Sequence, residues 1–315
     1  MEFEGWGSRA EEVEEMRRFA LKCEELGFDS IWLYDHFLTV PKPTLESSYE
    51  CWTTTAWLAG VTKKIRIGQM VTCNSYRHPS VLAKMSSTVD ALSGGRLDMG
   101  IGAGWYQAEY NAYGIPFPKA SVRIGMLDEA AQIIKRMWTE NSPSFEGRYY
   151  SIKEAMNNPK PVQKPHPPLW IGGGGEQLTL RVVAEHADYS NFHGGEDPID
   201  GFKHKMDILQ RHCEEVGRGF EEIKKSTLVN VLIGRTEAEV DERIAKRARA
   251  MGVAEAEYRK RLRMVLSGTP ETCVERWSKL MELGASYFVL YILGTRDEWY
   301  DTLELLVDSV IPELR

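Results

Sequence analysis

Between Glu11 and Leu26 the apolar residues Val13, Met16, Phe19, Ala20, Cys23 and Leu26 recur at helical spacing, and Gly27 stops the run. The next apolar block, Phe28 to Leu33, is too short for a second helix and reads as a buried strand. This alternation persists to the end of the chain. The pattern predicts helices over Tyr49 to Val61, Pro79 to Leu92, Arg123 to Trp138, Glu176 to Ala187, Pro198 to Val216, Glu237 to Met251, Pro270 to Leu283 and Trp299 to Val310. Further strands are predicted over Ile65 to Val71, into Gly102, and over Leu169 to Ile171, Tyr189 to His193, Lys225 to Gly234 and Tyr287 to Leu293. Phe145 to Ile152 reads as a small hairpin on Gly147, and Pro159 to Pro168 as an extended connection.

Strands separated by helices call for parallel pairing and right-handed crossovers. Seven strands are readable, where eight close a barrel. The missing one belongs before the first helix, but Met1 to Trp6 contains no full strand. The expected fold is therefore α/β: a (β/α)8 TIM barrel with a small insertion and a short or missing first strand, as one domain over residues 1–315. An open doubly wound sheet is the alternative. The suggestive residues follow four different strands, which a common barrel mouth gathers better.

Composition narrows the function. A net charge of −7, with basic residues scattered among acidic ones, opposes a nucleic-acid partner. No run reaches the roughly 18 apolar residues of a membrane span, and the acidic start is unlike a signal peptide, so a cytoplasmic protein is expected. The 5 cysteines are far apart and lack a Cys-x-x-Cys pair, which fits packing better than a zinc site or a disulfide framework. No metal site is expected, and the P-loop, zincin and nucleophile-elbow motifs are absent.

Four stretches carry candidate chemistry, one of them the end of the second strand, Met70 through Asn74. Gly94 to Tyr110 leads a strand into Gly102-Ala103-Gly104-Trp105, where backbone without side chains lets a flat ligand approach, or merely makes a tight turn. Trp105 stands where a dinucleotide fingerprint needs its last glycine. Trp105, Tyr106 and Tyr110 either wall a ring system or belong to the core. Asp35-His36 follows a strand end; the imidazole can exchange a proton near neutral pH, or the pair is a capping acid beside a packed histidine. Gly172 to Gly175, before a helix, offers backbone N–H groups to a phosphate, or forms a flexible turn.

With Leu33-Tyr34-Asp35-His36-Phe37, Gly68-Gln69-Met70-Val71-Thr72, Ser75-Tyr76-Arg77, Gly94 to Gly114 and Trp170 to Gly175 in order, the chain resembles the luciferase-like monooxygenase superfamily, most closely its coenzyme F420-dependent branch. The resemblance implies a (β/α)8 barrel, a homodimer and a non-proline cis peptide at Met70-Val71, in a bulge beneath the coenzyme ring. It implies that Asp35 contacts the ring system, that His36 is the catalytic proton donor or acceptor, and that Gly174 and Gly175 hold the coenzyme phosphate. The coenzyme contacts it implies are Asp35, His36, Met70, Val71, Thr72, Cys73, Gly102, Ala103, Gly104, Trp105, Gly172, Gly173, Gly174, Gly175 and Gln177.

Two departures bear on the substrate. Sugar-phosphate and alcohol oxidisers of the family carry a glutamate where this chain has Trp105, and His193 to Asp197 has no lysine for a substrate phosphate. The expected function is an F420-dependent oxidoreductase passing hydride between the deazaflavin and a small apolar or conjugated molecule. The alternatives are an FMN-dependent monooxygenase and a flavin-binding barrel without catalysis.

Overall fold

Ser8 starts the first helix, α1 (Arg9–Glu25), through a reciprocal cap: its Oγ accepts from the Glu11 N–H at 3.3 Å and the Glu11 carboxylate accepts from the Ser8 N–H at 2.7 Å. The buried face of α1 differs from the apolar pattern, because Glu12 and Glu15 are buried whereas Val13 is 37% exposed. The Glu12 carboxylate is compatible with burial because the Ser47 and Tyr49 hydroxyls donate to it, each at 2.7 Å.

A computed structural model of the chain describes residues 8–192, 197–262 and 266–314, and the chain divides into two compact units, 1–189 and 190–315. The expectation of a short or missing first strand falls at Met1 to Trp6, outside the described residues.

In the first unit, β1 (Ser30–Leu33), α2 (Cys51–Val61), β2 (Arg66–Gln69), β3 (Thr72–Cys73), α3 (Pro79–Ser93) and β4 (Leu97–Gly102) follow α1. Next come α4 (Gln107–Tyr113), α5 (Ala120–Thr139), the hairpin β5 (Phe145–Glu146) and β6 (Ser151–Ile152), then β7 (Leu169–Gly172) and α6 (Thr179–His186). The long strands pair in parallel in the order β1, β2, β4, β7, as an α/β fold requires. Ile67, Leu97, Met99, Ile101, Leu169 and Ile171 along them are fully buried, and each such side chain is worth about 1.5–3 kcal/mol of transfer free energy.

On the helical layer, α3 packs against α2 and α5. Pro79 opens α3 and Gly94, left-handed at φ 68°, closes it. The hairpin is held down by Glu129 on α5, whose carboxylate accepts from the N–H groups of Arg148, Tyr149 and Tyr150 at 2.7–2.9 Å. His186 Nε2 and Asp128 Oδ1, 2.6 Å apart with Glu185 alongside, join α6 to α5.

The second unit begins within β8 (Tyr189–Phe192) and continues with α7 (Pro198–Val216), β9 (Lys224–Ile233), α8 (Glu237–Ala250) and α9 (Glu255–Leu262). β10 (Leu266–Gly268), α10 (Pro270–Glu282), β11 (Ala285–Ile292) and α11 (Arg296–Ser309) complete it. β9 pairs in parallel with both β10 and β11. Arg243 on α8 and Arg235 converge on Asp301 of α11, which ties the unit's helices together. No helix among the described residues is long and apolar enough to cross a membrane.

Elements that differ from the sequence reading include β10, where no strand is predicted, and α6, which begins at Thr179 rather than Glu176. In the second case a turn intervenes, and the Leu180 N–H bonds back to the Gly175 carbonyl at 3.0 Å. All five cysteines are buried and unbridged, in agreement with a packing role.

Candidate functional site

Strand register brings three of the candidate stretches side by side, because Cys73 pairs with Gly102 and Gly102 with Gly172. Each lies at the carboxyl end of a parallel strand, where ligand sites of α/β folds form. The fourth stretch follows β1, whose last residue, Leu33, pairs with Gln69 just before the bulge. The Met70-Val71 peptide is cis, as the resemblance implies.

Val71 projects from that bulge onto the glycines. A Cβ on Gly172 would lie 2.6 Å from Val71 Cγ1, and a Cβ on Gly100 would run into the Gln69 carbonyl oxygen. Gly104, left-handed at φ 76°, leaves room for the Tyr110 hydroxyl and Cys73 Sγ, which are 3.0 Å apart. Arg123 of α5 fastens this turn, with Nε 3.2 Å from the Gly104 carbonyl and its guanidinium over the Phe117 ring. Much of the demand for glycine here therefore comes from the bulge and the packing around it.

Asp35 is 3% exposed, with Arg77 donating to both its oxygens at 2.6 and 3.0 Å and the Cys73 N–H at 2.9 Å. Burial pushes its pKa up, while Arg77 and the Cys73 N–H pull the other way. Arg77 also pairs with Glu50, the N-cap of α2. The carboxylate thus ties the end of β1 to the backbone of the bulge.

His36 lies beyond it, with a side chain 21% exposed. Its Nδ1 is 2.9 Å from Glu109 Oε2, and among the described residues no hydrogen bond reaches its Nε2. Trp105 and Tyr106 meet the imidazole edge to face at centroid distances of 5.8 Å. Trp105 and Tyr34, which flank it, are 61% and 44% exposed, so an open aromatic rim surrounds the ring.

Glu109 is fully buried on α4. Its Oε1 accepts from the Phe37 and Leu38 N–H groups at 2.6 and 2.9 Å, and its Oε2 from the Tyr76 hydroxyl at 2.5 Å. Burial opposes its ionisation, yet the bonds from His36, Tyr76 and Leu38 outweigh burial and hold its pKa below the ordinary value. Burial and the same carboxylate push the Tyr76 phenol far up, so Tyr76 is the donor. Sequence reasoning missed Glu109, Tyr76 and Arg77 as members of the site. The available signal was one acidic side chain among Trp105, Tyr106 and Tyr110, but nothing in its spacing points to His36.

Met70, Thr72 and Cys73 are buried; the Thr72 hydroxyl accepts from the Trp52 indole at 3.2 Å. After β7, Gly173 sits at φ 128°, and a Cβ on Gly175 would lie 2.8 Å from Thr179 Oγ1. The loop through Gly174 is thus main chain laid over the start of α6, and Gln177 is exposed in the following turn. Of the stretch lacking a phosphate-binding lysine, 193–196 lie outside the described residues; Asp197 caps α7.

Asn74, fully buried next to the bulge, leaves Oδ1 without a hydrogen-bond partner. That acceptor, a half-open imidazole and a side-chain-free loop fit a flat heterocycle bearing N–H groups and a phosphate arm.

The sequence model of the luciferase-like monooxygenase family matches residues 1–287. The F420-dependent glucose-6-phosphate dehydrogenase of Microbacterium testaceum (strain StLB037) is 27% identical over 325 residues, covering 96% of this chain and 93% of that protein. An FMNH(2)-dependent dimethylsulfone monooxygenase of Pseudomonas putida is 24% identical over 298 residues, 86% of this chain and 80% of that one. Among solved structures, the coenzyme F420-dependent tetrahydromethanopterin reductase of Methanopyrus kandleri superposes with a TM-score of 0.78 at 21% identity, covering 98% of this chain and 96% of that one.

Proposed function

The chain belongs to the luciferase-like monooxygenase family, and on that premise we propose that it is a coenzyme F420-dependent oxidoreductase acting on a small organic substrate. The observation that carries this reading is the His36 imidazole, oriented through Nδ1 and open at Nε2, at the mouth formed by the bulge and the two glycine turns. Relatives named as F420-dependent enzymes support the choice of coenzyme.

In this reading the Met70 to Cys73 bulge backs the coenzyme ring, Gly102 to Trp105 lie along it, and Gly172 to Gly175 with Gln177 take its phosphate arm. When bound, the deazaflavin supplies a carbon centre that accepts or donates hydride. His36 Nε2 takes up or returns the proton that accompanies hydride transfer at the substrate. Asp35, with both oxygens engaged by Arg77 and the Cys73 N–H, holds the bulge in place and acts on the ring through it. The exposed Trp105 and Tyr34 suit an apolar or conjugated substrate, and Trp105 fills the position of the glutamate in sugar-phosphate oxidisers.

Parallel fluorescence titration of the cofactor-free protein with F420 and FMN tests the proposal. Micromolar or tighter F420 binding with weak FMN binding is expected. The Pseudomonas putida relative favours a second reading, an FMN-dependent monooxygenase, which the reverse preference with oxygen consumption would establish. Binding without turnover of any substrate would leave a non-catalytic flavin-type barrel. His36→Ala should keep F420 affinity and lose turnover by about 100-fold or more; unchanged turnover would remove His36 from the chemistry.

A further inference from the structure

We propose that Glu109 is a positioning residue that fixes His36 as the Nδ1–H tautomer, so that the neutral ring presents a lone pair, not a proton, at Nε2. The proposal rests on the reading of His36 as the proton-handling group, but it is argued from this chain's own contacts. An ionised carboxylate only accepts and has about four lone-pair sites. Glu109 meets four groups: the Phe37 N–H, the Leu38 N–H, the Tyr76 hydroxyl and His36 Nδ1. Three of these can only donate here. The backbone amides carry fixed protons, and the phenol stays protonated beside the carboxylate.

A proton on Glu109 could be accepted only by His36 Nδ1, and the Phe37 and Leu38 N–H groups and the Tyr76 hydroxyl favour the ionised carboxylate instead, in keeping with a pKa held below the ordinary value. Facing a carboxylate oxygen at 2.9 Å, Nδ1 must then carry the hydrogen, since the opposite tautomer would set two lone pairs against each other. Trp105 and Tyr106 flank the ring edge to face, leaving Nε2 as its open atom.

The consequence is directional. Whenever the ring is neutral, it is poised to remove a proton from a substrate as hydride leaves it, as in oxidation of a C–H bond beside a hydroxyl or amine. In the reducing direction the ring must first be protonated at Nε2. Glu109 compensates the charge of that imidazolium in either direction.

Long-range proton–nitrogen correlation spectra of the cofactor-free protein labelled at its histidine nitrogens, recorded where the ring is neutral, test this. Expected for His36 is a protonated-type shift at Nδ1 and a lone-pair-type shift at Nε2. The reverse pattern in the unaltered protein overturns the proposal without any variant. Glu109→Gln keeps an oxygen for the Phe37 and Leu38 amides but turns an NH2 toward Nδ1, and should invert the His36 pattern. An unchanged pattern in a folded Glu109→Gln protein also overturns it, and Tyr76→Phe, which leaves the His36 contact alone, should not invert it.

In turnover with F420 and an identified substrate, Glu109→Gln should lower kcat by about 100-fold or more with coenzyme affinity retained. Inversion of the tautomer in a protein that binds no F420 would sink the functional reading alone. A wrong tautomer in a protein that turns over with F420 would sink the positioning role alone.

Discussion

Val71 occupies the space that a side chain at Gly102 would need: a Cβ there would stand 2.7 Å from Val71 Cγ2. The glycine at the end of β4 is thus fitted to a residue of the neighbouring bulge, and Gly172 on the next strand faces the same valine. A ligand at this mouth meets a surface whose shape is set by one branched side chain between two glycines.

Gly102→Ala should therefore destabilise the protein by about 1–3 kcal/mol through overpacking, and Val71→Ala separately by about 1–3 kcal/mol through the cavity it leaves. Because the two sites share one space, the double variant should lose less than the sum. A double-mutant cycle by denaturant unfolding reads this coupling, and additivity within about 0.3 kcal/mol would mean that the valine does not pack on that glycine.

Arg77 lies between the carboxylates of Asp35 and Glu50. Removing the cation leaves two acids facing one another in a largely buried site, whereas removing Asp35 leaves Arg77 with a partner. Arg77→Met should cost about 3–5 kcal/mol, and Asp35→Asn, whose amide oxygen can still accept from the Cys73 N–H, clearly less. Equal losses, or the reverse order, in chemical denaturation would show that the pair with Glu50 carries no weight.

The folded-state pKa of Glu109 lies below its ordinary value of 4.5, so at moderately acid pH the folded protein binds fewer protons than the unfolded chain. By linkage, the stability this carboxylate contributes is complete above that value and is lost as pH falls through the folded value. Glu109→Gln lacks this titration. The stability gap between the original protein and the variant should be largest from about pH 6 upward and shrink toward about pH 3. A gap that stayed constant in urea unfolding across that range would place the Glu109 pKa at its unfolded value.

Much of the fold is legible from short-range pattern. The strand over Phe28 to Leu33, the hairpin on Gly147 and the helix from Pro79 all form within a few residues of their predicted bounds, because periodicity records which face each segment buries. The pattern fails where burial is polar. Glu12 is inside and Val13 outside because the Ser47 and Tyr49 hydroxyls, 35 and 37 residues away, satisfy the acid. The delayed start of α6 follows from a bond back to Gly175, which composition does not specify.

The sequence by itself determined the α/β class, the positions of the candidate stretches at strand ends and, through its motifs, the family. Local alternation of apolar and polar residues is enough for the first two. Tertiary structure alone decided which residues of the candidate site meet. His36 and Glu109 are separated by 73 residues and meet through the approach of α4 to the segment after β1. Asp35 reaches across 42 residues to Arg77, and with the Cys73 N–H this ties the end of β1 to the bulge. Such pairings depend on strand register and on how buried charges find partners, and neither leaves a periodic trace in the chain.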